Sequence, residues 1–111
     1  MRAIIRRVGP LSWLLEPDMA TEELRKSWAI TLRHLAASRF YLQEHLPGKE
    51  AEKCWTQAQE FLHQNELGLA LDELLALGEL CSAPREFWSE LLSAAENMGR
   101  GKNVTFLRQR L

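Results

Sequence analysis

Between Pro47-Gly48 and Gln64-Asn65 the chain repeats apolar residues at the spacing of one helix face: Ala51, Cys54, Trp55, Ala58, Phe61 and Leu62. Steps of three and four fit a helix and no strand, whose faces alternate every second residue. The other face, Glu52, Lys53, Gln57, Gln59 and Glu60, is polar. A helix is therefore expected over about 50–63, and the same spacing extends to either side. Upstream, Leu24, Trp28, Leu32, Leu35, Leu42 and Leu46 form a seam that runs to Pro47. It predicts one long helix over about 19–46, capped by Asp18 or Thr21, with Glu22 and Glu23 in a first turn that favours acids. Arg39 breaks this seam; it either snorkels out of the core or pairs with a carboxylate of another helix.

Downstream, Leu67, Ala70, Leu71, Leu74, Gly78 and Cys81 mark the inner side of a helix over 66–81. Phe87, Trp88, Leu91, Leu92, Ala95 and Met98 do the same over 84–98, with Glu86, Glu90, Ser93 and Asn97 assigned outward. Ser82 can cap that last helix, Pro84 suits its first turn and Gly99 its stop. Gly68 and Gly78 each cost up to about 1 kcal/mol relative to Ala within a helix, which a close helix–helix approach would offset. Trp13, Trp28, Trp55 and Trp88 fall one to each major segment, as core side chains would.

The ends differ from the middle. Gly9-Pro10 and Glu16-Pro17 break helix, so residues 1–17 read as irregular, with Ala3-Ile4-Ile5 as a strap or edge strand. Leu11, Trp13, Leu14 and Leu15 form an apolar flap. The tail carries Lys102, Arg108 and Arg110 around Val104, Phe106, Leu107 and Leu111 and is read as a short basic helix over about 103–110. At 111 residues the expected fold is all-α: a single-domain bundle of four main helices with an irregular N-terminal segment and a short basic C-terminal element.

Charge is unevenly spread. The net charge is −1, yet Glu60, Glu66, Asp72, Glu73, Glu79, Glu86, Glu90 and Glu96 face a single base, Arg85, between residues 60 and 97. Helical register gathers Leu69, Asp72, Glu73, Ala76, Glu79 and Leu80 on the far side of the third helix. A solvated face needs no leucines, so Leu69 and Leu80 touch another part of the fold or another molecule. A duplex would repel a recognition helix that has carboxylates and no Lys or Arg, which sets nucleic acid aside. The basic ends, Arg2, Arg6, Arg7, Arg100, Lys102, Arg108 and Arg110, read as solvated or paired with the protein's own acids.

Chemistry-bearing patterns are missing. No nucleophile elbow, phosphate loop or dinucleotide fingerprint occurs. His34, His45 and His63 make no ligand pair at helical spacing; Glu60 and His63 match a Glu-x-x-His step once, without the second motif that a di-iron bundle needs. No metal and no cofactor are expected, and no enzyme. Cys54 and Cys81 lie on apolar faces with no metal or redox spacing and read as reduced residues of a cytoplasmic protein. No apolar run is long enough to cross a membrane, and the N-terminus lacks a small-residue cleavage site.

What remains is a binding surface for a basic protein partner, made of Glu66, Leu69, Asp72, Glu73, Glu79, Glu86 and Glu90. The competing reading is a solvated face that serves solubility. The run from Tyr41-Leu42-Gln43-Glu44-His45-Leu46-Pro47, through His63-Gln64-Asn65-Glu66-Leu67-Gly68-Leu69-Ala70-Leu71-Asp72, to Ala95-Glu96-Asn97-Met98-Gly99 resembles small bacterial immunity proteins, nearest to the MafI-like group. Glu66, Ala70, Asp72, Trp88, Met98 and Gly99 carry the likeness, over about residues 40–100. The resemblance implies a cytoplasmic, non-enzymatic protein that binds and neutralises a cognate toxin domain of a polymorphic or contact-dependent system. It carries over no interface residue. The alternative is an adaptor, chaperone or regulatory subunit with another protein partner, as a monomer or as a homodimer through Leu69 and Leu80.

Overall fold

A computed structural model describes residues 19–111, with side chains from Glu22 onward; the strap, the apolar flap and the Asp18 cap expected upstream lie outside the described residues. Five helices follow in order: α1 Met19–Ser38, α2 Gly48–His63, α3 Leu67–Cys81, α4 Arg85–Met98 and α5 Gly101–Arg108. A 3-10 turn, Arg39–Tyr41, follows α1, and the described residues contain no strand. The protein is all-α. Its principal packings are α2 on α3 and α1 on α4, with α5 against α4, while α1 and α2 scarcely touch.

The core is leucine-rich. Leu35, Leu71, Leu74, Leu77, Phe87, Leu91 and Leu107 are fully buried, each removing side-chain area worth about 1.5–3 kcal/mol from water. Around them sit Ala51, Ala58, Ala70, Ala94 and Ala95, which let helices approach. Leu77 and Ala94 join the expected inner faces; Cys54, Trp55, Phe61, Leu62, Cys81, Leu92 and Met98 are only partly buried against that core. Gly78 is required by a close approach: a Cβ there would stand 2.5 Å from Phe87 Cε2 and 2.6 Å from Trp88 Cη2. The edge of Trp88 thus lies against the backbone of α3, and its Nε1 donates to Ala83 O at 3.1 Å.

Three helix ends share one device. α2, α3 and α4 each pass into a left-handed residue, Asn65 (φ 60), Ser82 (φ 50) and Gly99 (φ 73). The amide of the next residue returns to a carbonyl of the last turn: Glu66 to Phe61 at 2.7 Å, Ala83 to Gly78 at 3.0 Å, Arg100 to Ala95 at 3.0 Å. Gly99 is the expected stop. Ser82, expected to cap α4, instead ends α3; Pro84 takes the N-cap position of α4, with no side-chain cap. The tail helix forms, two residues earlier than its pattern suggests.

The first helix corrects the sequence reading twice. It ends at Ser38, eight residues before the expected 46, without Gly or Pro. Ser38 Oγ donates to Leu35 O at 2.7 Å, offering the backbone a competing partner at that turn. The Arg39 guanidinium then donates to Gln43 O at 3.1 Å and Glu44 O at 3.0 Å, and it lies 5.4 Å from the Trp55 ring centroid. Arg39 therefore fastens a turn, without a carboxylate partner among the described residues. Leu42 still reaches the core, but on extended backbone (φ −105, ψ 162).

The second correction concerns which side of α1 faces inward. Thr31, Leu35 and Ser38 are buried, whereas Leu24, Trp28 and Leu32 of the expected seam remain 52%, 41% and 38% exposed. Small polar residues on α1 meet the row of α4 that was assigned to solvent. Asn97 Nδ2 donates to Ser27 O at 2.8 Å and Thr31 Oγ1 at 2.7 Å, and His34 Nδ1 lies 2.8 Å from Glu90 Oε1. Matched donors and acceptors, together with the buried Leu35, dock α1 by this side and leave Leu24, Trp28 and Leu32 outward.

Candidate protein-binding surface

The far side of α3 is as exposed as its register requires. Leu69 and Leu80 are 45% and 43% exposed, Ala76 lies between them, and Glu66 stands exposed at the N-cap. Asp72 and Glu79 flank this strip toward the tail, while Glu73 turns toward α2. Four of the expected binding residues, Glu66, Leu69, Asp72 and Glu79, therefore share one outer strip, with Glu73 at its edge.

The acids on this strip are not bare. Arg100 Nη2 lies 3.5 Å from Asp72 Oδ1, and Arg110 is ion-paired with Glu79. Arg108 pairs with Glu96 at 2.8 Å. The basic tail thus folds back on the acidic block, a pairing that the sequence offered as one of two readings for those cations. Each pair is solvent-exposed and so contributes little, typically 0–1 kcal/mol, which leaves it open to exchange with a competing cation. Arg110 has more to hold it: its guanidinium lies 4.7 Å from the Trp88 ring centroid and 4.9 Å from that of Phe106.

The remaining residues lie elsewhere. Glu90 is half-buried and committed to His34 of α1. Glu86 is exposed in the first turn of α4, where a carboxylate complements the helix dipole. With its amide turned to donate, Gln57 Nε2 reaches both oxygens of Glu73 at 3.2 Å. Cys54 is close by: burial pushes its thiol pKa up, and the Glu73 carboxylate beside it pushes it further. Burial also raises the Cys81 thiol pKa, against a lowering by Arg39. Both cysteines are free.

A second exposed surface was not anticipated. Because α1 presents Leu24, Trp28 and Leu32 outward, two separate hollows open beside it. One, of about 370 Å³, lies between α1, the start of α3 and the end of α4, where Leu24, Trp28, Leu67 and Met98 share the lining with the polar Ser27, Thr31, Asn65 and Asn97. The other, of about 310 Å³, lies between α1 and α2 and is lined by Leu32, Trp55, Gln59, Leu62 and His63. No carboxylate among the described residues lines either hollow. The sequence did hold a signal for it. Ser27, Thr31, His34 and Ser38 recur at helical spacing, as do Glu90, Ser93 and Asn97, and the two polar rows complement one another.

Among the described residues, no group of three or more His, Cys, Asp and Glu is arranged to hold a metal ion, and no helix is long and apolar enough to cross a membrane. Comparison with protein-family models, with curated proteins and with solved structures finds no match.

Proposed function

We propose that this chain is a non-enzymatic protein-binding module of the immunity type, one that neutralises a toxin domain by covering it with the outer strip of α3. The observation that carries the reading is that strip itself: Leu69, Ala76 and Leu80 exposed in a row, with Asp72 and Glu79 along one flank. Apolar side chains inside an acidic margin suit a basic partner, whose charge is steered in by the carboxylates and whose contact area is held by the leucines. Arg100 and Arg110 then act as placeholders. Their surface pairs with Asp72 and Glu79 give way to the partner's cations at little cost.

The test is co-expression with the product of a neighbouring toxin gene. A stable complex is expected, together with protection of the host cell. Asp72→Lys and Glu79→Lys should each weaken the complex at least tenfold, while circular dichroism shows the helices intact. Undiminished protection by both variants would remove α3 from the interface. Should Leu69→Asp abolish a concentration-dependent dimer instead, the adaptor or regulatory reading, with self-association through Leu69 and Leu80, would take precedence.

A further inference from the structure

Trp88 is held firmly by its neighbours. Its edge lies against α3 at Gly78, its Nε1 donates to Ala83 O at 3.1 Å, and Phe87 meets it edge-to-face with ring centroids 5.1 Å apart. The Arg110 guanidinium lies over the ring, 4.7 Å from its centroid. The same guanidinium is 4.9 Å from the Phe106 ring centroid and is ion-paired with Glu79. Two aromatic rings and a carboxylate, from α4, α5 and α3, thus converge on one cation. The sequence explains the convergence. Gly78 has no side chain, so Trp88 reaches the backbone of α3, and Glu79 is the next residue along it. Leu107, fully buried, fixes α5 and with it the neighbouring Phe106.

We propose that Trp88, Phe106 and Glu79 form a receptor for an arginine of the protein partner, which Arg110 occupies until the partner arrives. The partner's part in this rests on reading the α3 strip as the interface. The chain's own Arg110 is a sample of the ligand: a planar cation that stacks on a ring and meets a carboxylate at its edge. A lysine ammonium is a compact, strongly hydrated point charge and gains less from the rings. Each ring contact at a partly exposed site is worth a factor of roughly 2–5 in affinity. The site is also open to exchange. The Arg110 and Glu79 side chains remain 34% and 50% exposed, and the exposed Leu80 of the outer strip follows Glu79 directly. An incoming arginine displaces one side chain and finds the walls already in place. Replacing one guanidinium by another leaves the ion pair and the stacking intact. Tethered Arg110 outcompetes a free arginine, whereas a partner already docked on Leu69 and Leu80 competes with it as a second tethered ligand.

Arg110→Ala, at an exposed position, empties the receptor and allows a direct test. Nitrogen-15 NMR follows the Trp88 indole N–H of the full chain while N-acetylarginine amide is added. The shift should saturate in the variant and should not saturate over the same range in the unsubstituted chain, whose receptor is full. Nα-acetyllysine amide should bind roughly 2–5-fold more weakly. Arg110→Lys keeps a charge beside Glu79 and serves as a second variant; it too should admit the arginine amide. A linear response at Trp88 in both variants would overturn the proposal. So would an equal response at Trp28, an exposed ring on α1, since that marks unspecific stacking. In the toxin complex, Arg110→Ala should tighten binding roughly 2–5-fold by removing the competitor. A complex that forms yet is indifferent to Arg110→Ala overturns the receptor alone. Saturable binding of the amide without any toxin complex supports an arginine receptor and overturns the immunity reading alone.

Discussion

The two main helix–helix packings, α2 on α3 and α1 on α4, differ in how much hydrogen bonding they add to apolar burial. α2 and α3 meet through alanines and leucines, Ala51, Ala58, Leu71 and Leu74 among them. α1 packs on α4 with Leu35 buried in the core and with Ser27, Thr31 and His34 bonded to Asn97 and Glu90. Apolar burial is non-directional and tolerates rearrangement, whereas each hydrogen-bonding group needs its own partner at its own angle. Both interfaces bury apolar side chains, and the second adds orientation through its hydrogen bonds. It is the second that decides which side of α1 faces water.

The largest effect expected from breaking this contrast is on the apolar side. Leu74→Ala should cost about 2–5 kcal/mol of unfolding free energy in a urea titration, because its site is fully buried and cannot collapse completely. On the polar side Asn97→Ala should cost less, about 1–2 kcal/mol, by leaving the buried Thr31 hydroxyl without its donor. Adding Thr31→Val should then recover part of that loss, since removing both partners leaves nothing unpaired. Equal costs for the single and double variants would show that the bond does not set the orientation of α1. The smallest effect is at the margin of α2 and α3. The Cys54 thiolate is the reactive form, and burial together with Glu73 holds its pKa above the ordinary thiol value. Alkylation should accordingly be slow at neutral pH and rise only at alkaline pH. Glu73→Gln should move that rise to lower pH and speed modification at a fixed pH; an unchanged profile would place Glu73 away from the thiol.

The same contrast explains what could be read in the sequence. α2, α3 and α4 follow from apolar spacing to within two residues at each end, because their interfaces are apolar and periodicity reports apolar burial. The inward side of α1 was only partly legible by that route, for Leu35 and Leu42 of the expected seam are buried while Leu24, Trp28 and Leu32 are not. Its seam of Leu24, Trp28 and Leu32 is as regular as any other, yet the docking is decided by serine, threonine and asparagine. Nor did any Pro or Gly announce the end at Ser38, which depends on Arg39 finding two carbonyls ahead of it. Part of the candidate surface was legible. The exposure of Leu69 and Leu80 follows from register alone. That Asp72 and Glu79 would be met by Arg100 and Arg110 depends on where α5 lands, about thirty residues later in the chain.

The spacing of the α1–α4 bonds along the chain also carries a kinetic consequence. Asn97 and Thr31 are 66 residues apart, and His34 and Glu90 are 56 apart. By contrast α2 and α3 are joined by only Gln64, Asn65 and Glu66. Local hairpin contacts form before distant ones, whose loop entropy must be overcome before any contact rewards it. α2 and α3 should therefore assemble first, with α4 added through the Gly78 crossing and α1 arriving last. By the same reasoning α1 opens first from the native state. Its amides should exchange with solvent through a partial opening that leaves the other helices folded.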